Sequence, residues 1–248
     1  MKYMANPDPL SAASETLLIQ SYLLGHTRSL LKSDPTISLA WPAFAQSWDH
    51  LPQDEYMGDG GTYRFRRYSE FHLVQATHTL SALPHRPYRQ SKDDNYLNGE
   101  ISRLYLPMLQ DIQANPAFQH VLCGFADVMV PVLSSTGWLV QVFQNRILAK
   151  DGQPGKTTPE GVHRDGVDFV LALMISRANV DGGESAAYAQ DGQTLQATVT
   201  LKNAGDFIFL DDRMMKHSVQ PISRLDPAKE GYRDMLIAMF TQQPQVQS

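Results

Sequence analysis

The stretch Phe169-Val170-Leu171-Ala172-Leu173-Met174-Ile175 is an unbroken apolar run with the length of one β-strand. A run of this kind is typical of a strand that is buried on both faces. Downstream, Asp191-Gly192 separates two strand-like segments, which is a strong short-range signal of a β-hairpin. Residues 194–201 then alternate strictly between polar and aliphatic side chains. These residues predict a sheet core in the second half of the chain.

Further strands are predicted on both sides of this core. Strand-like composition marks residues 62–71, 138–148, 207–210, 217–222 and 235–240. The strands after residue 138 follow one another without helices between them, which excludes a βαβ pattern. We therefore predict an α+β protein whose strands form an antiparallel barrel or sandwich.

Helices are predicted mainly in the first half. Leu17, Leu24 and Leu31 recur every seven residues, which predicts one helix over residues 10–32. Other helices are predicted at 38–49, 104–112 and 118–129, and a polar loop at 84–102. We find no repeat and no convincing linker, so residues 1–248 are interpreted as one domain, with the N-terminal helix packed on a barrel core of residues 138–240.

Composition narrows the class of protein. The 248 residues carry 21 Lys+Arg against 26 Asp+Glu, a net charge of −5 that argues against nucleic acid or an anionic membrane as the principal partner. The single cysteine, Cys123, excludes an intrachain disulfide and a CxxC zinc site. The first residues lack the apolar core of a signal peptide, and no apolar run is long enough to span a bilayer. We therefore expect a soluble, cytoplasmic protein.

The candidate metal ligands are His163, Asp165 and His217. Residues two apart on an extended segment project to the same side, so His163 and Asp165 present an imidazole and a carboxylate together. His217 opens another predicted strand. Two histidines and one carboxylate form the facial triad of non-haem Fe(II) sites. By spacing alone, structural histidines and a solvated aspartate remain the alternative.

Arg233 is the candidate for binding an anion. It stands at the head of the final predicted strand, where a guanidinium suits bidentate capture of a carboxylate. The alternative is a surface ion pair with Asp234 or Glu230. Arg224, in a loop-like context, is the second candidate for the same role.

A second group of arginines lies in Arg64-Phe65-Arg66-Arg67-Tyr68. On a strand, Arg64 and Arg66 face one side and Arg67 faces the other. The arginines form either a carboxylate-binding wall or ion pairs with nearby acidic residues, and both interpretations stay open. Those acidic residues are Asp54, Glu55, Asp59 and Glu70.

The run from Thr158 to Phe169, TPEGVHRDGVDF, resembles the metal-binding strand of a family of bacterial 2-oxoglutarate/Fe(II)-dependent dioxygenases. Its best-known members hydroxylate free aliphatic L-amino acids, with L-isoleucine 4-hydroxylase as the type. Five more blocks are similar in the same order, at residues 56–68, 90–103, 179–185, 211–221 and 231–234. The resemblance spans about residues 52–240.

This resemblance implies a double-stranded β-helix (jelly-roll, cupin-like) barrel with N-terminal and flanking helices. It implies that His163, Asp165 and His217 bind Fe(II), that 2-oxoglutarate is the cosubstrate held by Arg233, and that O2 is the oxidant. The implied reaction hydroxylates a C–H bond of a free aliphatic L-amino acid, such as Ile, Leu, Val or Met, and converts 2-oxoglutarate to succinate and CO2.

A free amino acid requires a cation, an acceptor and an apolar wall near the metal. The sequence offers arginines 64–67 as the cation, Asp165 or Asp168 as the acceptor, and Tyr68, Phe65 or Trp138 as the wall. Two alternatives stay open: the same oxygenase chemistry on a larger metabolite, and a non-catalytic barrel that binds a metabolite.

Overall fold

The structure is a computed structural model, and it describes residues 8–92, 99–150 and 152–243. The helices in these ranges are α1 (Pro9–Gln20), α2 (Thr27–Leu30), α3 (Pro35–Gln46), α4 (Gln110–Gln113) and α5 (Pro116–Met129). The strands are β1 (Tyr22–His26), β2 (Arg64–Val74), β3 (Thr79–Ala82), β4 (Gly137–Ala149), β5 (Phe169–Ala178), β6 (Val180–Gly182), β7 (Glu184–Ala189), β8 (Leu195–Thr200), β9 (Asp206–Asp211), β10 (Met215–Val219), β11 (Ile222–Arg224) and β12 (Gly231–Gln242).

The strands form one large sheet and a smaller set of strands. The large sheet has the order β1-β9-β5-β12-β4-β2-β3, and its neighbouring strands are antiparallel. The smaller set consists of a three-stranded sheet, β10-β7-β8, and the pair β11-β6. A bridge between His163 and His217 joins a further segment to β10. This antiparallel arrangement agrees with the predicted α+β jelly roll.

The central strand β5 of the large sheet is buried on both faces, as the apolar run 169–175 predicts. Along β5, Phe169, Leu171 and Leu173 belong to the main core, which also contains buried side chains of α3 and α5. The alternating residues Val170 and Ala172 line a cavity on the opposite face. The period of two therefore separates a helix-facing core from a cavity wall.

Local sequence signals fix the starts of the two long inner helices. The Asp34 carboxylate accepts a hydrogen bond from the Thr36 amide at 2.7 Å, and Pro35 begins α3. Asn115 caps α5 in the same way, accepting from the amides of Ala117 and Phe118. A capping side chain followed by proline satisfies a free amide and supplies a helical φ angle.

The single helix expected over residues 10–32 is wrong. Helix α1 ends at Gln20, because Ser21 adopts a left-handed φ of 64° and its amide bonds to the Leu17 carbonyl. Residues 22–26 then pair with β9 at the edge of the large sheet. The leucines at seven-residue spacing therefore do not share one helix. In the strand that forms instead, Leu23 is buried and Leu24 is exposed.

Two further expectations need correction, and part of a third lies outside the described residues. Only Gln110–Gln113 is helical in the segment predicted as helix over 104–112; Pro107 lies before it, and the Leu106 carbonyl accepts from the Tyr68 amide of β2. The strand expected over 217–222 is two strands, with Pro221 between them. Residues 93–98 of the predicted loop and Asp151 lie outside the described residues.

The alternating segment 194–201 forms a strand of the expected hairpin, although its apolar face is not uniformly buried. Leu201 is buried, whereas Leu195 is 54% exposed beside the hairpin turn. None of the described helices combines the length and the apolar character needed to cross a membrane.

Candidate metal centre and its cavity

His163 and His217 are paired through their backbones. The His163 amide donates to the His217 carbonyl at 3.0 Å, and the His217 amide donates to the His163 carbonyl at 2.8 Å. This reciprocal pair places the two imidazole centroids 4.4 Å apart. Asp165, two residues further on, turns its carboxylate to the same place, as the spacing predicts.

The three side chains converge on one point. Asp165 Oδ1 lies 3.8 Å from His163 Nε2, and Asp165 Oδ2 lies 3.6 Å from His217 Nε2. One ligating atom from each of the three residues lies within 4.8 Å of the others. Two imidazole nitrogens and one carboxylate oxygen form the donor set that suits Fe(II), and the structure therefore fits the predicted metal.

Backbone contacts orient these ligands. His163 Nδ1 lies 3.0 Å from the Gly161 carbonyl, which can only accept, so Nδ1 carries a proton and Nε2 is the nitrogen that can ligate a metal. Gly161 has a φ of +77°, a conformation that favours glycine. On the other side, the buried Asp212 carboxylate accepts from the amides of Asp165 and Gly166 at 3.1 and 2.8 Å. The loop that carries Asp165 is thereby held in place.

Burial and neighbouring charge give the two histidines opposite protonation behaviour. Burial, with help from the positive charge of His163, lowers the pKa of His217 to about 3. Burial also opposes charge on His163, but the Asp165 and Glu160 carboxylates outweigh it and raise its pKa. His217 is therefore neutral and ready to ligate, whereas a metal ion competes with a proton at His163.

The triad lies on the wall of a cavity of about 140 Å³ between the sheets. The large sheet contributes residues of β2, β4, β5, β9 and β12. The opposite wall contains residues from the segment 157–165 and from β7 and β10. Charged side chains of both signs line this small space, which is the arrangement expected of a site for polar ligands.

Arg233 is a buried cation in this cavity. It is 3% exposed, and its Nε and Nη2 atoms have no hydrogen-bond partner among the described residues. Burial, followed by the charge of Arg177, lowers the pKa of Arg233 to about 10. The alternative ion pair with Asp234 does not form, because that carboxylate points to the other face and binds Arg146 Nε at 2.7 Å. A buried guanidinium with free donors fits the carboxylate of a bound anion.

Arg64 and Arg66 line the same cavity, whereas Arg67 does not. The alternation predicted for this strand is therefore observed. Arg64 Nη2 donates to the carbonyls of Lys156 and Thr157 at 3.3 and 3.1 Å. Arg66 Nε lies 3.0 Å from Asp54 Oδ2. Arg66 is therefore ion-paired with one of the acidic residues and also faces the cavity, so both interpretations stay open for it.

Several residues expected near the substrate lie elsewhere. Trp138 shares its face of β4 with core residues packed toward the helices, and its Nε1 donates to Gln75. Tyr68 is covered by the rings of Tyr88 and Phe143, with centroids 5.1 and 4.7 Å away. Neither side chain lines the cavity. Trp138 projects from the opposite face of its strand, and aromatic rings lie between Tyr68 and the cavity.

Three polar candidates also lie outside the cavity lining. Asp168 accepts from the Gln242 amide at 2.7 Å, at the end of the large sheet. Arg67 donates to the Pro107 carbonyl on the helix-facing side of β2. Arg224 lies on β11, with Nη1 3.4 Å from the Lys229 carbonyl.

The structure adds cavity residues that the sequence analysis did not select. Arg103 and Tyr88 come from the segment between β3 and α4. Arg103 Nη2 donates to Gln90, whose amide lies 3.3 Å from Asp165 Oδ1. Glu160 lies three residues before His163 in the quoted run, so proximity in sequence could have found it. Arg103 reaches the site through tertiary folding, which leaves no local signal.

Comparison with known proteins agrees with this geometry. Residues 45–239 match the family model described as 2OG-Fe dioxygenase. A bsmA homolog from Methylobium petroleophilum PM1 has a similar crystal structure, with a TM-score of 0.84 and 27% identity over 94% of this chain and 93% of that one.

Three curated enzymes are distantly similar in sequence. Identity is 24% to the 3(1)-hydroxy-L-isoleucine 4-dioxygenase of Pantoea ananatis, over 62% of this chain and 63% of that enzyme. It is 22% to the L-isoleucine-4-hydroxylase of Bacillus thuringiensis, over 77% and 79%. It is 23% to the bifunctional enzyme flvA of Aspergillus flavus, over 82% of this chain but 27% of that enzyme. The chain thus spans about a quarter of flvA and less than two thirds of the Pantoea enzyme.

A jelly roll with two histidines and an aspartate on its cavity wall defines the class of non-haem iron oxygenases. The matched span covers most of the chain, and the chain belongs to the 2OG-Fe dioxygenase family. Enzymes of this family are dioxygenases that use Fe(II), 2-oxoglutarate and O2, and the donor set of the triad fits the iron.

Proposed function

We propose that this enzyme hydroxylates a C–H bond of a free aliphatic L-amino acid such as Ile, Leu, Val or Met. One observation carries the proposal. The small cavity holds the metal-ligand triad together with further arginines and a further carboxylate that neither the metal nor the cosubstrate needs. Two of the distant relatives are named for isoleucine or a hydroxylated isoleucine as substrate, which supports the same class.

In this proposal, His163, Asp165 and His217 hold the iron. Their contribution is to offer two neutral imidazoles and one carboxylate on one side of the ion, so that the opposite side stays open to ligands. When bound, Fe(II) together with 2-oxoglutarate and O2 supplies the oxidising power for hydroxylation, with succinate and CO2 as coproducts.

Arg233 is the proposed ligand for the distal carboxylate of 2-oxoglutarate. Its two unpartnered nitrogens, in a residue 3% exposed, offer donors that water does not compete for. Gly183 leaves room beside the guanidinium, since a Cβ at that position would lie 3.3 Å from Arg233 Cδ. Arg224 becomes the weaker candidate because it does not line the cavity.

The remaining charged side chains suit a small zwitterion. Arg64 and Arg66 supply positive charge on one wall, and aliphatic residues of β5 and β12 supply an apolar surface. The cavity that these side chains line has a volume of about 140 Å³. Holding both charged ends would fix which side-chain carbon faces the metal.

The experiment is a panel of free L-amino acids incubated with the iron-loaded enzyme, 2-oxoglutarate and O2, with mass detection of a product heavier by one oxygen atom. We expect product and matching succinate from a medium-sized aliphatic amino acid. We also expect N-acylated and carboxamide derivatives to be rejected strongly, because they leave buried charged groups unpaired. Equal turnover of such derivatives would contradict the free amino acid and favour a larger metabolite. Amino-acid binding without succinate or hydroxylated product would instead favour a non-catalytic barrel.

A further inference from the structure

Glu160 places a second carboxylate beside the metal-ligand triad. Its Oε1 lies 3.5 Å from His163 Nε2, and the side chain is 12% exposed. Glu160 lines the cavity together with the three candidate ligands. The triad already supplies a carboxylate through Asp165, so metal binding by the triad does not require Glu160.

The Glu160 carboxylate has no guanidinium or ammonium group in direct contact among the described residues. Among the described residues, its only ion pair is with the His163 ring, while the charge of Arg64 acts on it from a greater distance. The Nδ1 proton of that ring is directed to the Gly161 carbonyl, and Nε2 is the nitrogen that faces Asp165. If Nε2 ligates iron, it carries no proton for Glu160. A largely buried carboxylate without a directly bonded ammonium or guanidinium group is costly, so the site suits a cation that arrives with a ligand.

A positive group that could take the other end of such a ligand lies in the same cavity. Arg64 lines it and donates to the carbonyls of Lys156 and Thr157, in the segment that leads to Glu160. No ion pair within 4.0 Å joins Arg64 to Glu160 in the described part of the chain. The cavity thus keeps a cation and an anion apart, which is the complement of a zwitterion.

We propose that Glu160 accepts the α-ammonium group of the substrate and so selects free amino acids against molecules that lack this charge. The inference rests on the proposed function and adds a residue to it. It also replaces the two aspartates expected for this role: Asp168 does not line the cavity, and Asp165 belongs to the metal-ligand triad. Glu160 is a specificity-determining residue on this account, and the arginine wall holds the substrate carboxylate.

The test compares Glu160→Gln with the wild-type enzyme and with Glu15→Gln, an exposed glutamate on α1 that serves as the matched control. Each protein is loaded anaerobically with Fe(II) and 2-oxoglutarate, and the dissociation constants of two probes are measured by calorimetry. The probes are L-isoleucine and 3-methylpentanoate, which has the same carbon skeleton and carboxylate but lacks the ammonium group. Iron content and the thermal midpoint are recorded for every sample.

We expect Glu160→Gln to weaken L-isoleucine binding about 10- to 100-fold, the range for a lost hydrogen bond to a charged group. Binding of 3-methylpentanoate should change little, iron content should be retained, and Glu15→Gln should behave as wild type. Equal weakening of both probes, or of neither, would overturn the inference while the proposed function stands. Loss of iron in Glu160→Gln would also overturn it, because Glu160 would then be a metal ligand.

Failure of the proposed function would look different. Wild-type enzyme would then bind neither L-isoleucine nor any other amino acid of the panel, and the inference about Glu160 would fall with it. Wild type could instead bind L-isoleucine with the same preference over 3-methylpentanoate that Glu160→Gln shows. That result would contradict only the role of Glu160.

Discussion

His163 and His217 face each other across an antiparallel bridge, and their backbones exchange hydrogen bonds of 3.0 and 2.8 Å. The position of each imidazole is therefore set by main-chain pairing between two segments 54 residues apart in sequence. The rigid backbone places both nitrogens next to Asp165 before any ion binds, which is how a metal site is preorganised.

Replacing Arg233 tests the cosubstrate site. We expect Arg233→Ala to raise the KM for 2-oxoglutarate far more than that for the amino acid, because it removes a bidentate contact to one ligand only. The loss corresponds to about 2–4 kcal/mol if the bound carboxylate is left buried and unpaired. Steady-state kinetics in each substrate measure the split, with Arg224→Ala as the comparison. Equal effects on both substrates, or a larger effect in Arg224→Ala, would contradict the assignment.

The arginines of β2 offer an internal control. Arg64 lines the cavity and Arg67 donates to the Pro107 carbonyl on the opposite face. We expect Arg64→Ala to raise the KM for the amino acid about tenfold or more, and Arg67→Ala to leave it unchanged. If the two variants have the same KM for the amino acid, Arg64 does not bind the substrate carboxylate.

Iron binding is expected to depend on pH through His163. The pKa of this residue is raised above 6.5, so below it the ring is protonated and iron must displace the proton. His217, with a pKa lowered to about 3, is already neutral in this range. Apparent iron affinity should therefore fall as pH falls through the pKa of His163, with proton release on binding. Calorimetry in buffers of different ionisation enthalpy measures that release, and an affinity that stays constant as the pH is lowered below 6.5 would contradict it.

Asp234 neighbours Arg233 in sequence but has a structural role. It is 1% exposed, and Arg146 Nε and Nη2 donate to its two oxygens at 2.7 and 2.8 Å. We expect Asp234→Asn to lower the free energy of unfolding by about 3 kcal/mol, because the charge of Arg146 loses its buried partner.

The matched control is Asp49→Asn, since Asp49 contacts the same arginine from a side chain that is 54% exposed. Its loss should cost less than about 1 kcal/mol. Denaturant titration measures both values. Similar losses of unfolding free energy in the two variants would show that the buried Asp234–Arg146 pair stabilises the fold no more than the exposed Asp49–Arg146 pair.

The sequence predicts those parts of the molecule that depend on local periodicity. The buried run 169–175, the hairpin at Asp191-Gly192 and the opposite orientation of Arg66 and Arg67 all follow from a period of two, and the structure agrees with each. The separation of Arg233 from Asp234 follows from the same rule once the strand is known.

What the sequence could not predict depends on partners far away in the chain. Residues 22–26 carry a helix-like leucine spacing but pair with β9, which contributes the missing backbone hydrogen bonds. Trp138 could face either side of its strand, and the direction is decided by the helices that pack there. Arg103 joins the cavity through the loop that carries Gln90, a contact without any local pattern.

In the proposed reaction, His163, Asp165 and His217 hold the iron. The most direct measurement is iron content and 2-oxoglutarate-dependent succinate formation in His217→Ala, beside His50→Ala, an exposed histidine, as control. We expect His217→Ala to fold, to lose bound iron and to form no succinate, because a facial triad has few protein ligands to spare. His50→Ala should match wild type. A His217→Ala enzyme that keeps stoichiometric iron and near wild-type succinate formation would contradict the account.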